Sequence, residues 1–274
     1  MKLGVNSVLF KDFDFATAAK QIASCGYDGV EIAAIKGMCE HLQLDRWREQ
    51  AEELRAIVAD NGLEFLSMEV ASLDEERLIQ AFEAGAELGI PVINVGPGGT
   101  AGDENSLLHS IETLRSLSKK AEEYGVTLCV KAHVGNAIYI YNTPTTLQAM
   151  KDITSPAFGI DMDPSHIYRG NENPEEELPK VLSRMKHVHI RDCKGRTAGP
   201  GDIQNQACGR GDIDLFAYCK ALVDGEYEGP VCLEVIGANQ HSLADVSIVA
   251  AESYGYLNAC LQKLGVRKPK LVKE

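Results

Sequence analysis

The residues of this chain that could do chemistry recur at the ends of short apolar runs. "LCVKAHVGN", residues 128–136, starts like a buried strand and ends with Lys131 and His133 two apart. "AFGIDMDPSH" carries Asp161, Asp163 and His166, and "HVHIRD" carries His187, His189 and Arg191. Glu69 closes "LEFLSME", and Glu234 lies in "GPVCLEVIG". Side chains alternate along a strand, so Lys131 shares a face with His133, Asp161 with Asp163, and His187 with His189. If those faces point inward, His133, Asp163 and His189 converge at one end. Carboxylate and imidazole meeting there make a site for Mn²⁺, Zn²⁺, Co²⁺ or Mg²⁺. A lone strand histidine is often only a hydrogen-bonded core or rim residue. That explanation weakens when four successive strands end alike, because burying several ionisable groups without purpose is costly.

Positioning these residues needs a repeated frame, and the sequence has one. Eight β-rich apolar runs alternate with amphipathic segments such as "DRWREQAEELRAIVADNG" and "DEERLIQAFEAGAELG", whose apolar residues recur at helical spacing. Gly26, Gly62, Gly89 and Gly125 each follow a helical pattern, as left-handed caps do. Nearly continuous apolar strands imply a parallel sheet buried on both faces. Eight βα units in a chain of 274 residues predict an α/β fold, a single closed (β/α)₈ TIM barrel. An open doubly wound sheet would want a GxGxxG opening its first helix, and none is present. The barrel is expected over residues 1–265, with 266–274 a short, basic, solvated tail. In a barrel the ends of the strands form the active face, where the ionisable residues pile up.

Composition narrows the partners. The net charge of −13 argues against a nucleic-acid groove, which needs a basic surface. No apolar run has membrane-spanning length, and "MKLGVNSVLF" reads as a strand rather than a signal peptide. The expectation is a cytoplasmic protein whose eight cysteines, without CxxC spacing, are reduced and buried.

"DPSH", "HVHIRD", "GRGDID" and "CLEVIG" together resemble the xylose isomerase-like barrels, the family of sugar-phosphate isomerases and epimerases, ketose 3-epimerases and endonuclease IV-type enzymes. The resemblance implies one divalent metal, Mn²⁺ foremost, with Mg²⁺, Co²⁺ or Zn²⁺ as alternatives. Asp163, His189 and Glu234 would be three of its ligands. It also implies that His166 touches substrate hydroxyls, that Lys194 or Arg196 contacts substrate, and that the chain is a homodimer or homotetramer. "GRGDID" would be the glycine loop before the seventh barrel helix, where Asp212 could instead cap that helix.

The fourth ligand in the family is a glutamate that is also half of an acid–base pair with Glu234. Here that position is Lys131. Three readings stay open. The metal binds through the other three ligands, with Lys131 as base or hydrogen-bond donor, its ammonium form disfavoured by desolvation and a nearby cation. Alternatively the ammonium replaces the metal as electrophile. Or the site is degenerate and only binds sugar. The lead expectation is a sugar, keto-sugar or inositol-type isomerase or epimerase that abstracts a proton next to a carbonyl. Glu234 and Lys131 would be its catalytic residues, and His133, His166 and Glu69 would hold hydroxyls of a small polyhydroxylated substrate. A lyase or dehydratase is the alternative, and an endonuclease IV-like nuclease is opposed by the charge.

Overall fold

A computed structural model describes residues 1–100, 102–134, 142–197 and 199–268. Eight parallel strands close into a barrel: β1 (Lys2–Asn6), β2 (Gly29–Ile35), β4 (Glu64–Glu69), β5 (Val92–Val95), β6 (Thr127–Lys131), β7 (Phe158–Asp161), β8 (Met185–Ile190) and β9 (Pro230–Leu233). The order runs β1-β9-β8-β7-β6-β5-β4-β2, and a β1–β2 pairing completes the ring. A two-residue strand, β3 (Cys39–Glu40), folds back antiparallel on the end of β2. The eight apolar runs of the sequence are thus the eight barrel strands, each nearly buried along its length because helices cover the outside and side chains fill the inside.

The helices are α1 (Phe15–Cys25), α2 (Trp47–Asp60), α3 (Glu75–Leu88), α4 (Glu104–Glu123), α5 (Thr143–Asp152), α6 (Pro164–Arg169), α7 (Pro174–Val181), α8 (Ile203–Gln206), α9 (Leu215–Asp224) and α10 (Leu243–Lys263). In α4 the buried stripe is Ile111, Leu114, Leu117, Ser118 and Ala121, the three-to-four spacing that puts one helix face against the sheet. Full burial of one such leucine contributes about 1.5–3 kcal/mol. Gly26, Gly62, Gly89 and Gly125 all have positive φ at helix ends, the left-handed conformation that stops the helix and turns the chain back. All eight cysteines are free, and all but Cys25 are buried. No helix among the described residues is long and apolar enough to cross a membrane.

Three local expectations shift. The first strand ends at Asn6 rather than running to Phe10, because the Asn6 side chain accepts from Val8 N and folds Ser7–Phe10 into a 3₁₀ turn. The cap of α9 is Asp214, which accepts from Ala217 N, whereas Asp212 accepts from Gly195 N. Arg267, expected in a solvated tail, pairs with the Asp28 carboxylate at 2.5 Å. Residues 269–274 of that tail lie outside the described residues.

Candidate active site

Parity along the strands sends a set of ionisable side chains into the barrel, in two layers. The deeper layer is built on His187 and His189. His187 places Nδ1 at 3.0 Å from Asp161 Oδ1 and Nε2 at 2.8 Å from Ser67 Oγ. His189 places Nε2 at 2.5 Å from Glu31 Oε2 and Nδ1 at 2.5 Å from Asp161 Oδ2. Asn94 donates to Glu31 Oε1, and the His189 amide donates to Asp161 Oδ1. Burial alone would strip the proton from His189, but the Asp161 and Glu31 carboxylates outweigh it and hold the imidazolium well above its ordinary pKa. Burial would likewise raise Asp161 and Glu31; the two histidines pull both below the usual carboxylate range. The layer is a buried block in which the His189 imidazolium lies between the Asp161 and Glu31 carboxylates.

The outer layer lies at the strand ends. Lys131, only 4% exposed, puts Nζ at 2.7 Å from Glu234 Oε1 and at 3.5 Å from Glu69 Oε1. Asn6 donates to the other Glu69 oxygen at 2.5 Å. Arg191 enters just beyond β8, sharing the parity of His187 and His189. Its guanidinium donates to Ser165 Oγ and His166 Nε2, both at 2.8 Å. It also faces Asp163 Oδ2 at 3.3 Å and Glu234 Oε2 at 3.5 Å. The His133 and His166 rings lie against each other, tilted by 38°, with centroids 3.8 Å apart.

These contacts set the charge states. Burial disfavours the Lys131 ammonium, yet Glu234 and Glu69 reverse that and push its pKa up. This corrects the expectation that desolvation would free Lys131 as a base. Burial would raise Glu234; Lys131, His189 and Arg191 instead hold it well below the ordinary value. Glu69 goes the other way, to about 8, through burial and then the Glu234 charge. Two carboxyl groups on one ammonium therefore differ, one ionised and one protonated at neutral pH, which is how a site assigns a base and an acid. Burial and the Lys131 charge lower His133 to about 4, and burial and Arg191 keep His166 neutral.

Of the residues singled out from sequence, Glu69, Lys131, His166 and Glu234 come together, with Asp163 joined through Arg191. His133 lies against His166. Lys194 is exposed on the loop after β8. Arg196 is committed to Tyr168 O, Glu172 O and Asn173 Oδ1, and lies over the Tyr168 ring. The basic group that reaches the ring from this segment is Arg191. Glu31, Asn6 and Asn94 belong to the site as well, through His189, Glu69 and Glu31 respectively; Glu31 and Asn94 are each the one polar residue of an apolar strand. The "GRGDID" loop is wrapped around Asp192, whose carboxylate accepts from Cys193 N, Gly209 N and Ile213 N. A Cβ at Gly211 would stand 2.0 Å from Asp192 Oδ1, so only glycine fits there.

By spacing, the barrel end could hold a metal ion. Glu31, His187 and His189 form one such group, Glu69, His189 and Glu234 a second, and Asp163, His166 and Glu234 a third, each with ligand atoms within 4.8 Å of one another. Asp163, His189 and Glu234 do not form one group among them. Asp163 Oδ2 and His189 Nδ1 are buried without a hydrogen bond, as vacant ligands would be. Each nevertheless faces an opposite charge, Arg191 for the first and Asp161 for the second. Both Glu234 oxygens face cations, and the expected fourth ligand is itself an ammonium. The residues present do not fit the single four-ligand centre that the resemblance implies.

A family model described as xylose isomerase-like TIM barrel matches residues 19–257. The solved structure of D-psicose 3-epimerase in the presence of D-fructose superimposes with a TM-score of 0.78 at 16% identity, covering 95% of this chain and 99% of that one. An uncharacterized protein of Methanocaldococcus jannaschii is 24% identical over 249 residues, 85% of this chain and 83% of its own. Inosose dehydratase of Clostridium perfringens is 28% identical over 144 residues, 45% of each chain, so the match spans less than half of that enzyme.

Proposed function

Since the chain belongs to the xylose isomerase-like TIM barrel family, we propose that it is an enzyme of that family's sugar isomerase and epimerase type. It would abstract a proton next to the carbonyl of a small polyhydroxylated ketone. One observation carries the reading: Glu234 and Glu69 flank the same buried ammonium, Lys131, at 2.7 and 3.5 Å; the surrounding cations hold Glu234 low, while burial and the Glu234 charge push Glu69 up to about 8. Glu234, ionised, accepts the proton on the carbon next to the carbonyl. The C–H electron pair moves into the new C=C bond and the carbonyl π pair moves onto oxygen. Lys131 has three donors and its two carboxyl partners leave one for that oxygen, whose developing charge it stabilises in a water-poor site. Glu69, as the carboxylic acid, returns a proton to carbon. His133, neutral, keeps Nε2 for a hydroxyl while its Nδ1 lies on Val134 O; His166 has its nitrogens engaged by Arg191 and Val134 N, and Arg191 holds Glu234 and His166 in place. A positioned acid or base of this kind contributes about 10²–10⁴-fold.

A second reading is dehydration of a related keto-sugar or inosose. It is favoured by Lys131, which removes the symmetric carboxylate pair that the resemblance implies and leaves one base with one acid. In that case Glu69 would protonate the departing hydroxyl. The partial likeness to inosose dehydratase supports it. Chromatography after incubation with ketohexoses and inososes tests both. A positional or stereoisomer supports the first reading and an unsaturated or diketo product the second, while no conversion of any polyhydroxylated ketone would contradict both.

A further inference from the structure

We propose that the barrel end carries its own positive charge: Lys131 and Arg191 together occupy the place of a divalent ion, and the site does not bind one. This deepens the functional reading above and rests on it for the chemistry the cations serve. Lys131 stands where the resemblance puts the fourth ligand, with Nζ 2.7 Å from Glu234 Oε1. A metal bound to that oxygen at about 2.0–2.2 Å would sit against the ammonium, and in a buried site water does not screen the repulsion. Arg191 supplies the second cation. Its two terminal nitrogens span Asp163 Oδ2 and Glu234 Oε2, at 3.3 and 3.5 Å, and so bridge two carboxylates that a metal would otherwise bridge. The imidazole expected to complete the set is hydrogen-bonded through Nε2 to Glu31 Oε2 at 2.5 Å, and its Nδ1 faces the Asp161 carboxylate without a hydrogen bond. Asp163, His189 and Glu234, the three expected ligands, thus each face an opposite charge supplied by the chain. The arrangement also differs chemically from a metal centre: an ammonium polarises a carbonyl by donating a hydrogen bond, not by taking an oxygen lone pair.

The test is metal uptake by the full-length protein, measured without substrate, so that it stands or falls separately from the substrate class. Wild-type protein dialysed against Mn²⁺ should retain far less than one equivalent by elemental mass spectrometry. Its Tm should not move in about 1 mM Mn²⁺, since a bound ion would stabilise by mass action. Lys131→Glu restores a carboxylate and removes the ammonium. It should gain about one Mn²⁺ per chain, with a Kd at least roughly tenfold tighter than wild type, because a carboxylate then replaces the ammonium beside the Glu69, His189 and Glu234 group. Should Lys131→Glu fail to fold, Lys131→Gln, which offers a neutral oxygen, is expected to shift uptake in the same direction. A wild-type protein that binds one equivalent of Mn²⁺ or Zn²⁺ overturns the proposal, and so does a folded position-131 variant whose uptake equals wild type.

Discussion

Replacing Lys131 by methionine keeps the length and apolar stem of the side chain but removes the charge between Glu234 and Glu69. The side chains of all three are at most 6% exposed, so water cannot take over the lost contact. Breaking a buried ion pair by removing one partner costs about 3–5 kcal/mol. For a domain of this size each kcal/mol moves Tm by about 2–4 °C, so a fall on the order of 10 °C is expected. The pH dependence should also change. In the wild type Glu234 is held below its unfolded pKa, so its stabilisation is present above that value and fades as pH falls. Without Lys131 the largest of the charges holding Glu234 down is gone while His189 and Arg191 stay, so that stabilisation shrinks; Glu69, already raised to about 8, rises further and costs stability as pH rises toward 8. Chemical unfolding at pH 5 and pH 8, followed by circular dichroism, reads both effects. Lys131→Met should lose more stability at pH 8 than at pH 5. A variant within about 1 kcal/mol of wild type at both values, the scatter of an ordinary substitution, would refute the buried triad.

Glu234→Gln should lower kcat by at least about 10²-fold, the contribution of a positioned base, with circular dichroism unchanged; full turnover would remove Glu234 from the mechanism. Gly211→Ala puts a methyl against the Asp192 carboxylate and should cost about 1–3 kcal/mol as overpacking, measurable by urea unfolding. The folded-state pKa of His133, about 4, lies below its unfolded value of 6.5, so its contribution is complete above pH 6.5 and is lost as pH falls toward 4. His133→Gln should flatten that part of the stability–pH curve, and an unchanged slope between those limits would contradict the buried neutral ring.

Much of the fold was legible because each barrel strand is buried on both faces and each helix on one, and those two patterns survive in a single sequence. "GVEIAAI" became β2 residue for residue. The site was legible where two or more ionisable residues shared a strand face, as in "HVHIRD". It was not legible where one polar residue sat alone. Glu31 clamps His189 from a strand that otherwise reads as core, and nothing local to β2 marks it. Nor could spacing foresee which basic residue after β8 turns inward: Arg191 keeps strand parity, whereas Lys194 and Arg196 lie on the loop, whose path depends on contacts to Tyr168 and Glu172. The charge state of Lys131 was misjudged for the same reason. Desolvation is readable from an apolar run, but the two carboxylates that outweigh it arrive from β4 and β9, 62 and 103 residues away in the chain.

The most direct measurement of the proton-transfer chemistry is solvent exchange followed by NMR. Keto-sugars and inososes are incubated in D₂O with wild-type protein and with Glu234→Gln, and deuterium is read at the carbon next to the carbonyl. Exchange catalysed by the wild type, and reduced by at least about 10²-fold in the variant, is the expected result. Exchange at the same rate in both proteins, or none with any substrate that the wild type converts, would contradict it.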